Sequence, residues 1–339
     1  MDREKNLINI IIMILRTTFS IKPSDEKISY STPVLFTGSC FASEIGKKMT
    51  EAKMKVMINP AGTVYNPISI GNTLDIILNK RIFNRDDIFC FNNLYHSFYH
   101  YTDFTSDDPF KTLEKINLST ALSHEFLKNA SFLFITFGTA RVYRFKETGM
   151  IVSNCHKLPA SMFTSELLDV DEIYSFWRSL IKRLKEFNRN LKIIFTISPV
   201  RYLKDGAHGN QISKSVLFLA TEKLLSDTLS AGYFPAYELL MDDLRDYRFY
   251  ADDMIHPSSF AIDYIFEAFS GVFFEKETIS TYKEIMEIVR AKGHRIISPA
   301  SEQVKKFAGI MLEKISSLEQ RISDVDFTDE KNYFSSLSH

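Results

Sequence analysis

The sequence is short of cysteine: Cys40, Cys90 and Cys155 are the only three in 339 residues. An odd number with no C-x-x-C spacing argues against a disulfide framework and a zinc ribbon, and suits a reducing compartment. An excess of one charge is missing too. The formal net charge is −1, so the chain lacks the electrostatic footprint that nucleic acid or an anionic membrane would require. Long apolar runs are also absent. The N-terminal stretch MDREKNLINIIIMILRTTFS holds an apolar segment too short to span a bilayer, with acidic residues before it and no small-residue cleavage site after it. A cytoplasmic location is the expectation. Internal repeats and low-complexity segments do not occur either. What is there is an ordinary globular composition, 45% hydrophobic and 24% charged, at a length that suits one large α/β domain with additions or two small ones.

Short β-rich apolar runs alternate with amphipathic helical patterns, as in a parallel sheet covered on both faces. Core strands are expected at 33–38, 54–58, 131–138, 193–199 and 234–240, and helices at 41–52, 67–79, 112–128, 170–188, 211–231 and 258–274. The helix at 170–188 has the clearest apolar face: Val170, Ile173, Tyr174, Trp177, Leu180, Ile181 and Leu184 recur at helical spacing and read as core. Two insertions interrupt the alternation. Residues 81–108 are aromatic-rich and irregular, more like a wall or lid than a linker, and 142–152 reads as a hairpin turning at 146–149. Two further helices are expected after 276, and the stretch from 326 lacks periodicity, so a frayed tail is expected there.

In an open parallel sheet, ligands bind beyond the carboxyl ends of the strands. The first strand delivers Gly38-Ser39-Cys40, the second Asn59-Pro60-Ala61-Gly62-Thr63, the third Gly138-Thr139-Ala140-Arg141 and the fourth Ser198-Pro199-Val200-Arg201. Asp252-Asp253-Met254-Ile255-His256-Pro257 precedes the helix at 258. A nucleophile, glycine turns and an acid three residues before a histidine thus meet on one edge, which is the composition of an acyl-transfer site. Each element also has a plain structural reading. Ser39 suits a helix N-cap, Asp253 could cap the helix at 258 with Pro257 at its first position, and Gly62 could simply serve a turn. Cys40 has no such structural use at the turn, though a free cysteine is often a small buried hydrophobe. His96 and His100 stand four apart, which is ligand spacing only on a helix, and no third ligand accompanies them.

The blocks TGSCFASEIG (37–46), NPAGTVYNPISI (59–70), ITFGTARVYR (135–144), SNCHKLPA (153–160), SPVRYLKDGAHGNQISKS (198–215), LRDYRFYADDMIHP (244–257) and HRIISP (294–299) resemble the GSCFA family, an offshoot of the SGNH (GDSL-like) hydrolases. The resemblance covers about 13–321. It implies a three-layer α/β/α, flavodoxin-like (SGNH hydrolase-like) parallel sheet over 13–275 and an N-terminal extension or mis-assigned start over 1–12; periodicity adds C-terminal helices over 276–325 and a disordered tail over 326–339. In the superfamily register Cys40 stands where the nucleophilic serine belongs and Ser39 where the aspartate belongs. Gly62 matches the oxyanion glycine, and Asp253 and His256 match the Asp-x-x-His block. The Gly-x-Asn block departs: Gly138-Thr139-Ala140 has alanine in place of the oxyanion asparagine. Asn154, His156, His208 and Asn210 are candidates to replace it, with Asn59 and Thr139 beside them at the strand ends. The implied function is hydrolysis of an acyl ester, with a carbohydrate ester one form of substrate. Cys40 or Ser39 would attack, His256 would act as base and then acid, Asp253 would orient it, and no cofactor or metal is expected. An acyltransferase on the same site, or a non-catalytic carbohydrate- or partner-binding protein, are the other readings. A small-molecule or glycan ester is the expected partner, with no nucleic acid and no membrane.

Overall fold

The computed structural model describes residues 17–227, 231–294, 296 and 301–338; the expected extension at 1–12 lies outside them. Five parallel strands form the central sheet: β1 (Val34–Gly38), β2 (Val56–Ile58), β5 (Phe132–Phe137), β9 (Lys192–Ile197) and β10 (Ala231–Tyr233). Their order is β2-β1-β5-β9-β10, which is the flavodoxin-like order with its switch point between β1 and β5. Side chains alternate across the sheet as a pleat requires. Phe36, Phe132, Phe134 and Ile194 face α1 (Cys40–Glu51), α7 (Ser259–Phe273) and the C-terminal helices. Leu35, Leu133, Ile135, Phe137, Ile193 and Phe195 face α2 (Pro67–Leu78), α4 (Val170–Phe187) and α5 (Gly206–Asp227). Trp177 of α4 lies between Phe137 and Phe195, and its indole N–H donates to the Pro67 carbonyl at 3.2 Å. The helix read most clearly from the sequence therefore carries the centre of one core.

The fifth strand is not where the apolar run 234–240 suggested. It is Ala231–Tyr233, and the run itself becomes α6 (Ala236–Glu238) followed by a π-helical turn, Leu239–Leu244. Pro235 has no N–H to give to a ladder, and Phe234 makes the last sheet bond, its N–H donating to Phe195 O at 2.9 Å. Phe234, Ala236, Leu239, Leu240 and Leu244 are buried in helical rather than alternating spacing.

The insertion 81–108 folds as a hairpin, β3 (Phe89–Phe91) and β4 (Leu94–His96), with Asn92 and Asn93 both in the left-handed region as such two-residue turns demand. It is followed by α3 (Pro109–Asn129). The expected hairpin at 142–152 is present as β6 (Arg141–Phe145) and β7 (Ile151–Val152), and β8 (Phe163–Leu167) joins β6 as an unanticipated third strand.

The expected frayed tail is also corrected. After α8 (Lys276–Gly293) and α9 (Glu302–Arg321), the chain ends in α10 (Thr328–Ser338), packed on α8 and α9. Phe327 and Phe334 are fully buried, and Glu330 between them lies 2.9 Å from Lys53. Two phenylalanines one heptad apart are too sparse a pattern to show as periodicity, yet enough to anchor three turns. Among the described residues no helix is long and apolar enough to cross a membrane. Phe334→Ala should cost about 3–5 kcal/mol, as large-to-small core substitutions do. The measurement is the urea midpoint followed through Trp177, the only tryptophan; a loss below about 1 kcal/mol would show α10 to be peripheral.

Candidate active site

The site begins with a strand that must stop. Gly38 has φ +130°, and a Cβ there would lie 2.2 Å from the Thr136 carbonyl oxygen of the neighbouring strand. Ser39 follows as N-cap of α1, its N–H donating to Thr136 O at 3.1 Å. Its hydroxyl makes no capping bond; Oγ is buried without a partner, so the plain capping reading of Ser39 does not hold. Cys40 is the first residue of α1, half-buried, with Sγ 3.6 Å from the Tyr65 hydroxyl. Asn59 holds this turn from below. Its Oδ1 accepts from Gly38 N–H and its Nδ2 donates to Ser43 Oγ, both at 2.8 Å, which ties strand end to helix. Asn59 thus holds the turn and does not itself line the adjoining cleft.

Opposite the turn is the loop before α7. Asp253 Oδ1 accepts from the N–H groups of Ile255 and His256 at 2.9 Å each, and Oδ2 receives the His256 Nδ1 proton at 2.6 Å. The His256 amide above all, then its imidazole and the Ile255 amide, hold the Asp253 carboxyl at about 2. The carboxylate is thus ionised throughout the neutral range and fixes Nδ1 as the protonated nitrogen, leaving Nε2 as the basic one. Among the described residues Nε2 has no hydrogen-bond partner. The helix itself is capped by Ser258, whose Oγ accepts from Ala261 N–H. Asp253 is therefore free of the capping duty that its position before a helix suggested.

Between these elements lies a cleft of about 450 Å³. It is lined by Ser39 and Cys40 after β1, Tyr65, Gly138 and Thr139 after β5, Ser198 and 200–204 after β9, and Ile255 and His256 before α7. A larger concavity, about 820 Å³, runs along the outer face of α4 and α5 among surface charges and contains neither cysteine nor histidine.

The sequence model of the GSCFA family matches residues 33–269, and that of the GSCFA C-terminal domain matches 285–337. The chain belongs to the GSCFA family. No curated protein matches it. Among solved structures it is similar to a candidate platelet activating factor from Streptococcus pneumonia, with 13% identity, 72% of this chain and 85% of that one covered, and a TM-score of 0.37. A carbohydrate esterase family 3 structure from Talaromyces cellulolyticus gives 9%, 75%, 99% and 0.34 for the same quantities. The Clostridium thermocellum family 3 carbohydrate esterase gives 10%, 77%, 98% and 0.31.

Within this GSCFA protein not every expected site residue reaches the cleft. Gly62 does not offer an oxyanion amide, because its N–H donates to Asn59 O at 2.7 Å. Its φ is +78°, and a Cβ there would lie 2.3 Å from Tyr101 Cβ, so it is a turn glycine. Thr139 does line the cleft, with Oγ1 2.9 Å from Ser213 Oγ. Ala140 is fully buried, its N–H donating to Ser213 Oγ at 2.8 Å. Asn210 is buried and accepts from Tyr202 N–H at 2.9 Å, so it shapes the wall rather than facing the ligand space. His208 is exposed on the first turn of α5 and away from the cleft lining. Asn154 and His156 are spent on each other and on the insertion 81–108: Asn154 Oδ1 accepts from His156 N–H at 2.7 Å, and His156 Nε2 donates to Ser97 O at 2.8 Å. His96 faces Thr105 and the Phe91 carbonyl, and its ring lies 4.6 Å from that of His156.

Three residues escape sequence reasoning. Tyr65 is hidden in a block read for its glycine. Arg201 stands at a strand end without an evident role, and it lines the cleft with Nε buried and unpartnered. Lys214, on the helix expected at 211–231, is fully buried and donates to Gly138 O at 2.7 Å and Ser198 O at 2.6 Å. A buried polar residue mid-helix looks like surface until the strand ends beneath it are seen.

Two buried histidines, His100 in the insertion 81–108 and His156 beside it, carry a pH signature. Burial, with His156 and Arg81 nearby, brings His100 down to about 3, and burial brings His156 down to about 4. Both rings are neutral when folded, so between those values and about 6.5 the unfolded chain binds more protons. Stability should therefore fall as pH drops from about 6.5 towards 4, by up to about 1.4 kcal/mol per pH unit for each ring. Urea midpoints at about pH 7.5 and about pH 5 test this. The gap should narrow in His156→Gln, and an unchanged gap would acquit the histidine.

Proposed function

We propose that this GSCFA protein hydrolyses small carboxylic esters through a covalent Cys40 intermediate. One observation carries the reading: the Cys40 thiol and a histidine already oriented by a carboxylate border the same cleft at the carboxyl end of the central strands. His256 Nε2 takes the thiol proton as Sγ attacks the ester carbonyl carbon. The tetrahedral intermediate collapses with loss of the alcohol, which receives that proton from His256, and an acyl thioester remains. Water, deprotonated by the same nitrogen, attacks the thioester, and the acid leaves as the thiol re-forms. The Cys40 sulfur bonds Tyr65 and the His256 ring bonds Asp253, not each other; contacts between nucleophile and base commonly tighten only in the substrate complex. Cys40 is favoured over Ser39 because it is only half-buried, with its sulfur in contact with Tyr65, whereas Ser39 is 2% exposed.

The lining holds Arg201 and Lys204 and no carboxylate, so the ester should be neutral or anionic. A binding-only role on the same fold is the second reading. The engaged Gly62 amide and the alanine at 140 favour it, since two expected oxyanion donors are missing.

A panel of short esters separates the two. Turnover is expected, with cationic esters the poorest substrates. Cys40→Ala should abolish turnover, His256→Ala should lower kcat/KM by about 10²–10⁴-fold, and Ser39→Ala should remain active. An active Cys40→Ala with an inactive Ser39→Ala would transfer the nucleophile's role to serine. No turnover of any ester would leave the binding reading.

A further inference from the structure

Acyl transfer needs hydrogen-bond donors about 3 Å from the oxygen that becomes negative. Most candidates near Cys40 are already committed. Ser39 N–H donates to Thr136 O, Gly62 N–H to Asn59 O and Ser198 N–H to Phe137 O. Gly138 and Thr139 N–H both donate to the Tyr65 carbonyl, at 2.8 and 3.1 Å. Ala140 brings only a methyl group. The remaining donors are the first amides of α1, at Cys40 and Phe41, which have no carbonyl one turn back, the buried, unpartnered Ser39 hydroxyl and Arg201 Nε, and the Tyr65 hydroxyl, which of these side chains is the one in contact with the sulfur.

Tyr65 is also held in place. Two amides grip its carbonyl, the next residue is the N-cap of α2, and its ring borders the cleft with Oη 3.6 Å from Cys40 Sγ. We propose that the Tyr65 hydroxyl is a catalytic hydrogen-bond donor, holding the Cys40 sulfur in the free enzyme and turning to the carbonyl oxygen as that sulfur is acylated. The Sγ–C bond forms while the carbonyl π pair moves onto oxygen. The phenol proton stays on Tyr65 throughout, and only its acceptor changes. Burial first, then the neighbouring thiol and Tyr101, push the phenol's ionisation well above its usual range, so it remains a donor at neutral pH. The inference rests on Cys40 being the nucleophile.

Tyr65→Phe removes one oxygen and keeps the ring. The charged and titratable groups that line the two concavities bordering Cys40, His256, Arg201, Lys204, Glu44, Lys47, Lys48 and Glu51, are untouched by it. Relative to wild type, kcat on a short neutral ester should fall about 10²-fold with KM changed less than about threefold, as for loss of one oxyanion donor. Iodoacetamide should alkylate Cys40 several-fold more slowly at neutral pH, with Cys90 and Cys155 labelled at wild-type rates. Tyr174→Phe, which removes a surface hydroxyl of α4 bonded to Asp227, should alter neither readout by more than about twofold, the control for loss of a tyrosine hydroxyl outside the cleft. Wild-type kcat in Tyr65→Phe overturns the proposal. If the wild type turns over no ester, the hydrolase reading fails by itself and the labelling rates decide: slowed alkylation supports the Tyr65–Cys40 hydrogen bond, and unchanged alkylation overturns it.

Discussion

The arrangement depends on one close approach. At Gly38 the central strand lies so near β5 that no side chain fits between the glycine and the Thr136 carbonyl. The chain must leave the sheet there, and the next two residues are delivered to the start of α1 at the sheet's switch point. Asn59 fixes the exit by bonding both Gly38 and Ser43. Place any other residue at 38 and the strand, the helix and the sulfur all shift together. That is why the turn reads as a site and not merely as a cap.

A second constraint comes from the opposite layer. Strands β5 and β9 end in carbonyls that face no partner strand, and α5 satisfies them with Lys214 on Gly138 and Ser198, while Ser213 serves Ala140. Burial brings the Lys214 ammonium down to about 7. Its hydrogen bonds go to those two carbonyls, whose dipoles supply the compensation that a buried cation requires. The backbone groups around the cleft are thus largely used in building it. Few amides are left to face the cleft, so in the proposed hydrolysis the burden falls on side chains and on the free end of α1.

Much of this is legible in the residues. The apolar runs at β1, β5 and β9 are nearly continuous, as strands buried on both faces must be, and the amphipathic stripe of α4 is unmistakable. Asp253 and His256 stand one turn apart, so their pairing follows from spacing alone. The rest depends on contacts between distant segments. Pro235 ends the last strand early, and α10 is stabilised by two phenylalanines whose burial requires α8 and α9. Gly62 looks like an oxyanion glycine because tight turns and oxyanion holes ask for the same residue; only the direction of its N–H separates them. Tyr65 and Lys214 give no signal because a tyrosine in a loop and a lysine in a helix are ordinary until a sulfur or two carbonyls are found beside them.

The proposed chemistry turns on whether the Cys40 sulfur becomes covalently acylated. Brief exposure to an activated acetyl ester, acid quenching and peptide mass mapping measure this directly. The predicted result is a single acetyl thioester on the peptide containing Cys40, formed in the wild type, released by neutral hydroxylamine and greatly reduced in His256→Ala. Acetyl on Ser39 instead, or ester turnover with no adduct on either residue, would contradict it.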